Sequence, residues 1–341
     1  MNYTEVLINN AIEDNKRECE MFSHYSYLSS LTIYKKDVDT SKKIVYFGLK
    51  EKDLNEVQEK IKKQNTFLEY NYIYDKISNT RFPLKDLVVS ANHNSDRYYA
   101  LIQNRINTLS NEAKEKNLLP IFMTLTLPSS YHKMKIDKKT NSLVKNPKYN
   151  YIQPKEAVKH LTKMFSKLRH DRSLKELSKE QRMYFRVNEP HKNGTPHTHI
   201  LLFVPKGSIK RVVIAFERLF DIKANDIQTN IKNATSYVMK YINKTLPLSK
   251  KANLSKKEKY LNAWYCKHRI TRFNCSRTLA PLSLYRLLYE KFNLKELTKL
   301  VKTKSLSIFV LQENRNKIME VFFGDELIYQ RNENFKLSNG L

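Results

Sequence analysis

Cysteine is scarce in this 341-residue chain, and the three present, Cys19, Cys266 and Cys275, are far apart and form no CxxC pair. That argues against a zinc ribbon and a disulfide framework, and it suits a reducing cytosol. No run of about 18 apolar residues occurs. Residues 1–5 lack the basic and apolar regions of a signal peptide. A soluble cytoplasmic protein with no membrane partner is therefore expected. The HExxH pattern of zinc proteases is missing as well. Glycine is rare, at five residues, as an AT-rich genome would produce together with abundant lysine and asparagine. Such a genome does not account for the shortage of acids. Asp plus Glu number 34 against 62 Lys plus Arg, a net charge of +28. A charge of that size attracts polyanions, of which nucleic acid is the commonest. With 40% hydrophobic residues, the chain has the apolar area for a packed core.

The densest chemistry lies in residues 189–199, Glu-Pro-His-Lys-Asn-Gly-Thr-Pro-His-Thr-His, which run into the apolar Ile200-Leu201-Leu202-Phe203-Val204. In a strand alternate side chains share a face, so His197 and His199 project together. Glu189 closes the preceding alternating run 183–188. Two prolines and an Asn-Gly turn pair separate it from His197. A hairpin would return His197 beside Glu189. Two imidazoles and one carboxylate make a three-ligand metal site with open positions. Mg²⁺ or Mn²⁺ suits it, imidazole also suits Zn²⁺, and the same triad serves non-haem iron oxygenases. The bland alternative is two polar histidines on a half-solvated strand.

Around this hairpin the periodicities predict an ordered set of elements. Residues 97–116 carry a helical stripe, 121–127 alternate as a strand stopped by Pro128, and 131–151 look like a lysine-rich surface loop or insertion. Pro154 opens a helix with Val158, Leu161, Phe165 and Leu168 on one side. After the hairpin, 209–220 is expected as a helix, 226–231 as a short strand and 233–245 as a helix. Earlier, 50–63 has helical spacing and 66–74 is aromatic and strand-like. The order predicts an α+β fold, an antiparallel sheet with helices packed on one face as in ferredoxin-like folds, with N- and C-terminal appendages. The boundaries expected are 1–112, 113–248 and 249–341, the last beginning in a lysine-rich link. Helices around 282–302 are followed by short strands at 305–311, 318–323 and 326–329, the last two joined across Gly324-Asp325.

The helix after the hairpin places Tyr237 and Tyr241 one turn apart on one face, with Lys240 and Lys244 as a second such pair. A phenol is a weak nucleophile unless cations or a metal stabilise its anion. Tyrosine attack on a phosphodiester would conserve bond energy in a phosphotyrosine link. The same spacing recurs at Tyr70/Tyr74 and Tyr285/Tyr289, the latter with Arg286 between and Lys291 after. A tyrosine stripe packed on the sheet is the structural alternative.

Taken together, Thr124-Leu125-Thr126-Leu127-Pro128-Ser129, then residues 189–203, then Tyr237-x-x-Lys240-Tyr241-x-x-Lys244, resemble the HUH endonucleases. Within these the chain is most similar to the two-tyrosine phage replication initiators of the gene A type, over roughly residues 113–246. The resemblance implies a rolling-circle initiator that nicks and rejoins single-stranded or hairpin origin DNA in a bacterial host. It implies Mg²⁺ or Mn²⁺ held by Glu189, His197 and His199, with Tyr237 and Tyr241 as alternating nucleophiles. Lys240 and Lys244 would steady phosphate or phenolate, and the Thr124–Leu127 strand would support the metal strands from the sheet centre. A host helicase and polymerase are the further partners expected. A relaxase or two-tyrosine transposase shares the chemistry, and a non-catalytic basic nucleic-acid-binding protein shares the charge.

Overall fold

Two sequence periods build the centre of the molecule, about 3.6 residues in helices and two in strands. The computed structural model describes residues 46–137, 143–231, 233–246, 254–331 and 335–339. Cys19 and the lysine-rich link at 249–253 lie outside the described residues. The described chain begins with α1 (Glu51–Tyr70), β1 (Asn71–Asp75), β2 (Thr80–Pro83), α2 (Ser95–Glu115) and β3 (Leu118–Thr126). A small hairpin follows, β4 (Met134–Ile136) with β5 (Leu143–Lys145), then α3 (Pro154–His170). The Glu–His hairpin is β6 (Met183–Pro190) with β7 (Pro196–Pro205), and after it come α4 (Ile209–Leu219), β8 (Asp226–Gln228) and α5 (Ala234–Thr245). Next are α6 (Lys256–His268), β9 (Phe273–Cys275), α7 (Leu282–Leu288) and α8 (Leu294–Lys302). The strands β10 (Leu306–Leu311), β11 (Asn314–Phe323), β12 (Glu326–Gln330) and β13 (Phe335–Asn339) complete it.

Helix ends follow local chemistry. Pro154 occupies the first turn of α3, where no intrahelical donor is lost. Asn233 caps α5 by accepting from the Ser236 amide, and Ser255 with Glu258 forms a capping box on α6. The fold is α+β, and its main sheet is antiparallel in the order β8-β3-β7-β6-β9. Strand β7 is therefore the centre, with β3 beside it.

The helical cover is more extensive than the single face expected. Ile200, Leu202 and Val204 of β7 pack with Leu161, Phe165 and Leu168 of α3 and with Val212 and Phe216 of α4. Leu201 and Phe203 turn to the other side, among Ile106 and Leu109 of α2, Val238 and Ile242 of α5, and residues of α7 and α8. A strand buried on both faces reads as a continuous apolar run, which is what residues 200–204 are.

Three further differences have physical reasons. The aromatic stretch 66–74 divides, residues 66–70 finishing α1 and only 71–75 being strand, because a nucleated helix extends at little cost. The 131–151 stretch contains the β4–β5 hairpin. Strand β13 pairs antiparallel with β1, Asn71 opposite Asn339, and no local pattern announces a partner so distant in sequence. The C-terminal strands β10, β11 and β12 form their own antiparallel sheet, as the turn at Gly324-Asp325 predicts. No described helix is long and apolar enough to cross a membrane.

Leu202→Ala, at a position 1% exposed, is expected to cost about 3 kcal/mol. Leu119→Ala, at 39% exposure on β3, should stay within about 0.5 kcal/mol. Urea unfolding of the two variants checks this, and equal midpoints would contradict the two-faced burial of β7.

Candidate metal and nucleophile site

Strand register builds the site. Glu189 on β6 stands directly opposite His197 on β7, and Val187 stands opposite His199. Glu189, His197 and His199 therefore share one face. Glu189 Oε2 lies 3.8 Å from His197 Nε2 and 3.4 Å from His199 Nε2, and the two Nε2 atoms are 3.0 Å apart. Among the described residues no other group of three or more His, Cys, Asp or Glu side chains converges in this way.

The donor set fits a divalent cation. Spacings of 3.0 to 3.8 Å are those between neighbouring ligands about 2.1 Å from one ion. Thr124, opposite His199 in the β3–β7 register, places Oγ1 3.0 Å from His199 Nδ1. An Nδ1–H donated to Thr124 leaves the Nε2 lone pair turned toward Glu189, as metal-ligating histidines require.

The hairpin tip is gripped from three sides. Gly194 has φ +89°, a conformation that a side chain strains, and its N–H donates to His191 O at 2.8 Å. Phe47 N–H donates to Lys192 O at 3.0 Å, Trp264 Nε1–H to Gly194 O at 3.0 Å, and Thr195 Oγ1–H to Tyr131 O at 3.0 Å. A Cβ on Gly194 would overlap Phe47 O, and one on Gly48 would come within 2.8 Å of Asn193 O. Behind the strand, the buried Tyr265 hydroxyl donates to Asn188 O, one residue before Glu189. None of these supports was read from the sequence. The one available signal was glycine itself, since Gly48 and Gly194 are two of only five.

Imidazoles extend the site toward the tip. The His191 ring centroid is 4.2 Å from that of His197 and 5.2 Å from that of His132. Burial, with smaller effects from His132 and His199, lowers His191 to about 4, so it is neutral near pH 7.

Helix α5 brings Tyr241 to the triad, its ring centroid 4.0 Å from that of His199. Tyr237 is 6.0 Å from Tyr241. Phe122 of β3 packs against Tyr237 at 4.4 Å, Tyr241 at 5.9 Å and His199 at 5.5 Å, joining helix to sheet. Burial raises the Tyr241 phenol above its ordinary range, and Tyr237 and the Glu189 carboxylate add to the rise.

Lys240 does not join them. Val238, Met239 and Ile242 face the core, so helical geometry turns residue 240 outward. It is exposed. The side chain of Lys244 lies outside the described residues. The rival tyrosines are elsewhere. Tyr285 is buried and accepts from Asn104 Nδ2 at 3.0 Å, and Tyr289 donates to Glu290 at 2.8 Å. Tyr70 is exposed, and Tyr74 donates to Asn79.

Comparison with known proteins places the chain among phage replication proteins. The family described as bacteriophage replication gene A protein (GPA) matches residues 41–248, more than half of the chain. The replication protein of Haemophilus phage HP1 (strain HP1c1) is 34% identical over 161 residues, 42% of this chain and 18% of that protein. The replication gene A protein of Escherichia phage 186 is 30% identical over 160 residues, 42% of this chain and 22% of its own length. A probable replication endonuclease from prophage-like region 1 of Salmonella typhi is 28% identical over 179 residues, 45% of this chain and 21% of that protein. The chain thus spans about a fifth of the length of these relatives. No solved structure matches it.

Two variants test the support of the triad. Thr124→Val removes the hydrogen bond to His199 and should weaken Mn²⁺ binding roughly tenfold or more, measured by titration with electron paramagnetic resonance detection. Gly194→Ala should destabilise the protein by roughly 2 kcal/mol or more in thermal unfolding. An unchanged melting temperature would mean that the grip on the hairpin tip is not rigid.

Proposed function

The chain belongs to the bacteriophage replication gene A protein family, and from that membership we propose that it is a metal-assisted nickase that initiates rolling-circle replication. In this reading it nicks and rejoins single-stranded or hairpin origin DNA. The observation that carries the reading is the meeting of Tyr241 with His199 at 4.0 Å, beside the Glu189–His197–His199 triad. Relatives that include a replication gene A protein and a probable replication endonuclease support an endonuclease acting in replication.

Glu189, His197 and His199 would hold Mg²⁺ or Mn²⁺, which when bound acts as a Lewis acid on a phosphate oxygen. Tyr237 or Tyr241 supplies the nucleophile. Its Oη forms a bond to phosphorus as the bond from phosphorus to the 3′-oxygen breaks. The phenol loses a proton, the 3′-oxygen gains one, and the 5′ end stays on the tyrosine as a phosphodiester. Attack of a 3′-OH on that link reverses the exchange, so nicking and rejoining need no outside energy. With two phenols on one helix face, one holds a strand end while the other remains free. Thr124 keeps His199 in the required tautomer, and the buried Phe122 covers one face of the Tyr241 ring. Lys240 meets the phosphate only if the DNA reaches the outer side of α5.

Incubation with Mn²⁺ and tiled single-stranded DNA from the replicon should give a protein–DNA adduct that survives denaturant. Tyr237→Phe and Tyr241→Phe should each reduce it, and the double variant should abolish it. Salt-sensitive binding without any adduct would sink the nickase reading in favour of a non-catalytic binder. An adduct persisting in the double variant would move the nucleophile elsewhere.

A further inference from the structure

Three residues before Glu189, strand β6 carries Arg186, and odd–even alternation puts it on the opposite face of the sheet. The residue is 8% exposed. Its Nη1 donates to Thr162 Oγ1 on α3 at 3.2 Å, whereas its Nε is buried with no hydrogen-bond partner. Among the described residues no carboxylate pairs with it, and besides the Tyr184 phenol, which favours its charge, the group that acts on it is a second cation, Arg169. Arg169 lies over the Tyr184 ring, 5.4 Å from its centroid. Asn274 of β9 stands opposite Arg186 in the register, so the pair of arginines sits near the outermost strand on that edge.

A guanidinium taken out of water costs free energy that an opposite charge normally offsets. Here folding buries one and sets another near it against their mutual repulsion. We propose that Arg186 and Arg169 form a phosphate-binding site on the face of the sheet turned away from the triad, and that it takes a backbone phosphate of bound single-stranded DNA. Planar guanidinium donors match phosphate oxygens, and a chain of net charge +28 recruits polyanions before free phosphate. Arg186 and Glu189 are about 10 Å apart along β6 and on opposite faces, so a DNA strand that reaches both wraps around the β9 edge. This assignment rests on the proposed DNA substrate, and it adds a contact remote from the bond that is broken.

The test pairs Arg186→Met with Arg169→Gln, each in the whole chain, and measures single-stranded DNA affinity as salt is varied. Each variant should lose about tenfold in affinity at fixed salt, and the slope of log K against log salt should fall by about 0.7. The melting temperature of Arg186→Met without DNA should hold or rise, because an unpaired buried charge is gone. Unchanged affinity and slope in both variants would overturn the proposal. So would a lowered melting temperature in Arg186→Met with wild-type binding by Arg169→Gln, which marks a structural arginine. Millimolar inorganic phosphate that raises the melting temperature of the wild type alone, with DNA binding unaffected by either substitution, would reassign the site to free phosphate. Adduct formation is scored separately. A lost slope without any wild-type adduct keeps this site and rejects the nickase, and the converse rejects the site alone.

Discussion

Everything at the triad depends on one cross-strand pairing, Glu189 opposite His197. A slip of one residue would send both histidines to the face packed by α3 and α4. The apolar run 200–204 does not prevent that slip, since it is buried on both sides and tolerates either register. The pin is at the tip of the hairpin. A left-handed glycine, a Phe47 amide, the Trp264 indole and the Thr195 hydroxyl hold the turn in one place. Residues from before residue 50 and after residue 255 thus determine where two central histidines point.

Strand β7 is divided in function along its length. Its second half is core, and its first half carries His197 and His199, with Thr198 between them turned inward to donate to Val187 O. Phe122 bridges the two halves, being 1% exposed in the core and also in contact with Tyr237, Tyr241 and His199. Packing energy and site geometry are therefore one quantity at this position. The aromatic stack fixes α5 to the sheet and, by the same contacts, fixes the distance from phenol to imidazole.

What residue patterns revealed, and what they did not, follows from range. The helix at residue 154, the strand ending before Pro128 and the Glu–His hairpin are set by local periodicity, proline and turn chemistry, and all were legible. The pairing of Glu189 with His197 was legible too, because a short turn leaves few registers. Strand β9 has three residues and no period, so its place at the sheet edge depends on β6 alone. Likewise β13 meets β1 across most of the chain. Lys240 was grouped with the tyrosines by spacing, yet the buried Val238 and Met239 turn it to solvent. Spacing gives relative angles on a helix, and only the partner surface decides which angle is inward.

The distribution of charge completes the logic. Among the described neighbours of the triad, His191 is held uncharged by burial and the Tyr241 phenol is raised. A lysine packed there would repel a divalent ion and compete with it for the phosphate. On the proposed reading, these neutral neighbours leave the triad free to take a metal, while the net charge attracts the polyanion from afar. Tyr241 itself stays protonated in the resting site, since burial and Glu189 both disfavour its anion. On the proposed reading the nucleophile is therefore inactive until a cation beside His199 reverses that balance, and metal binding becomes the condition for attack and not merely an aid to it.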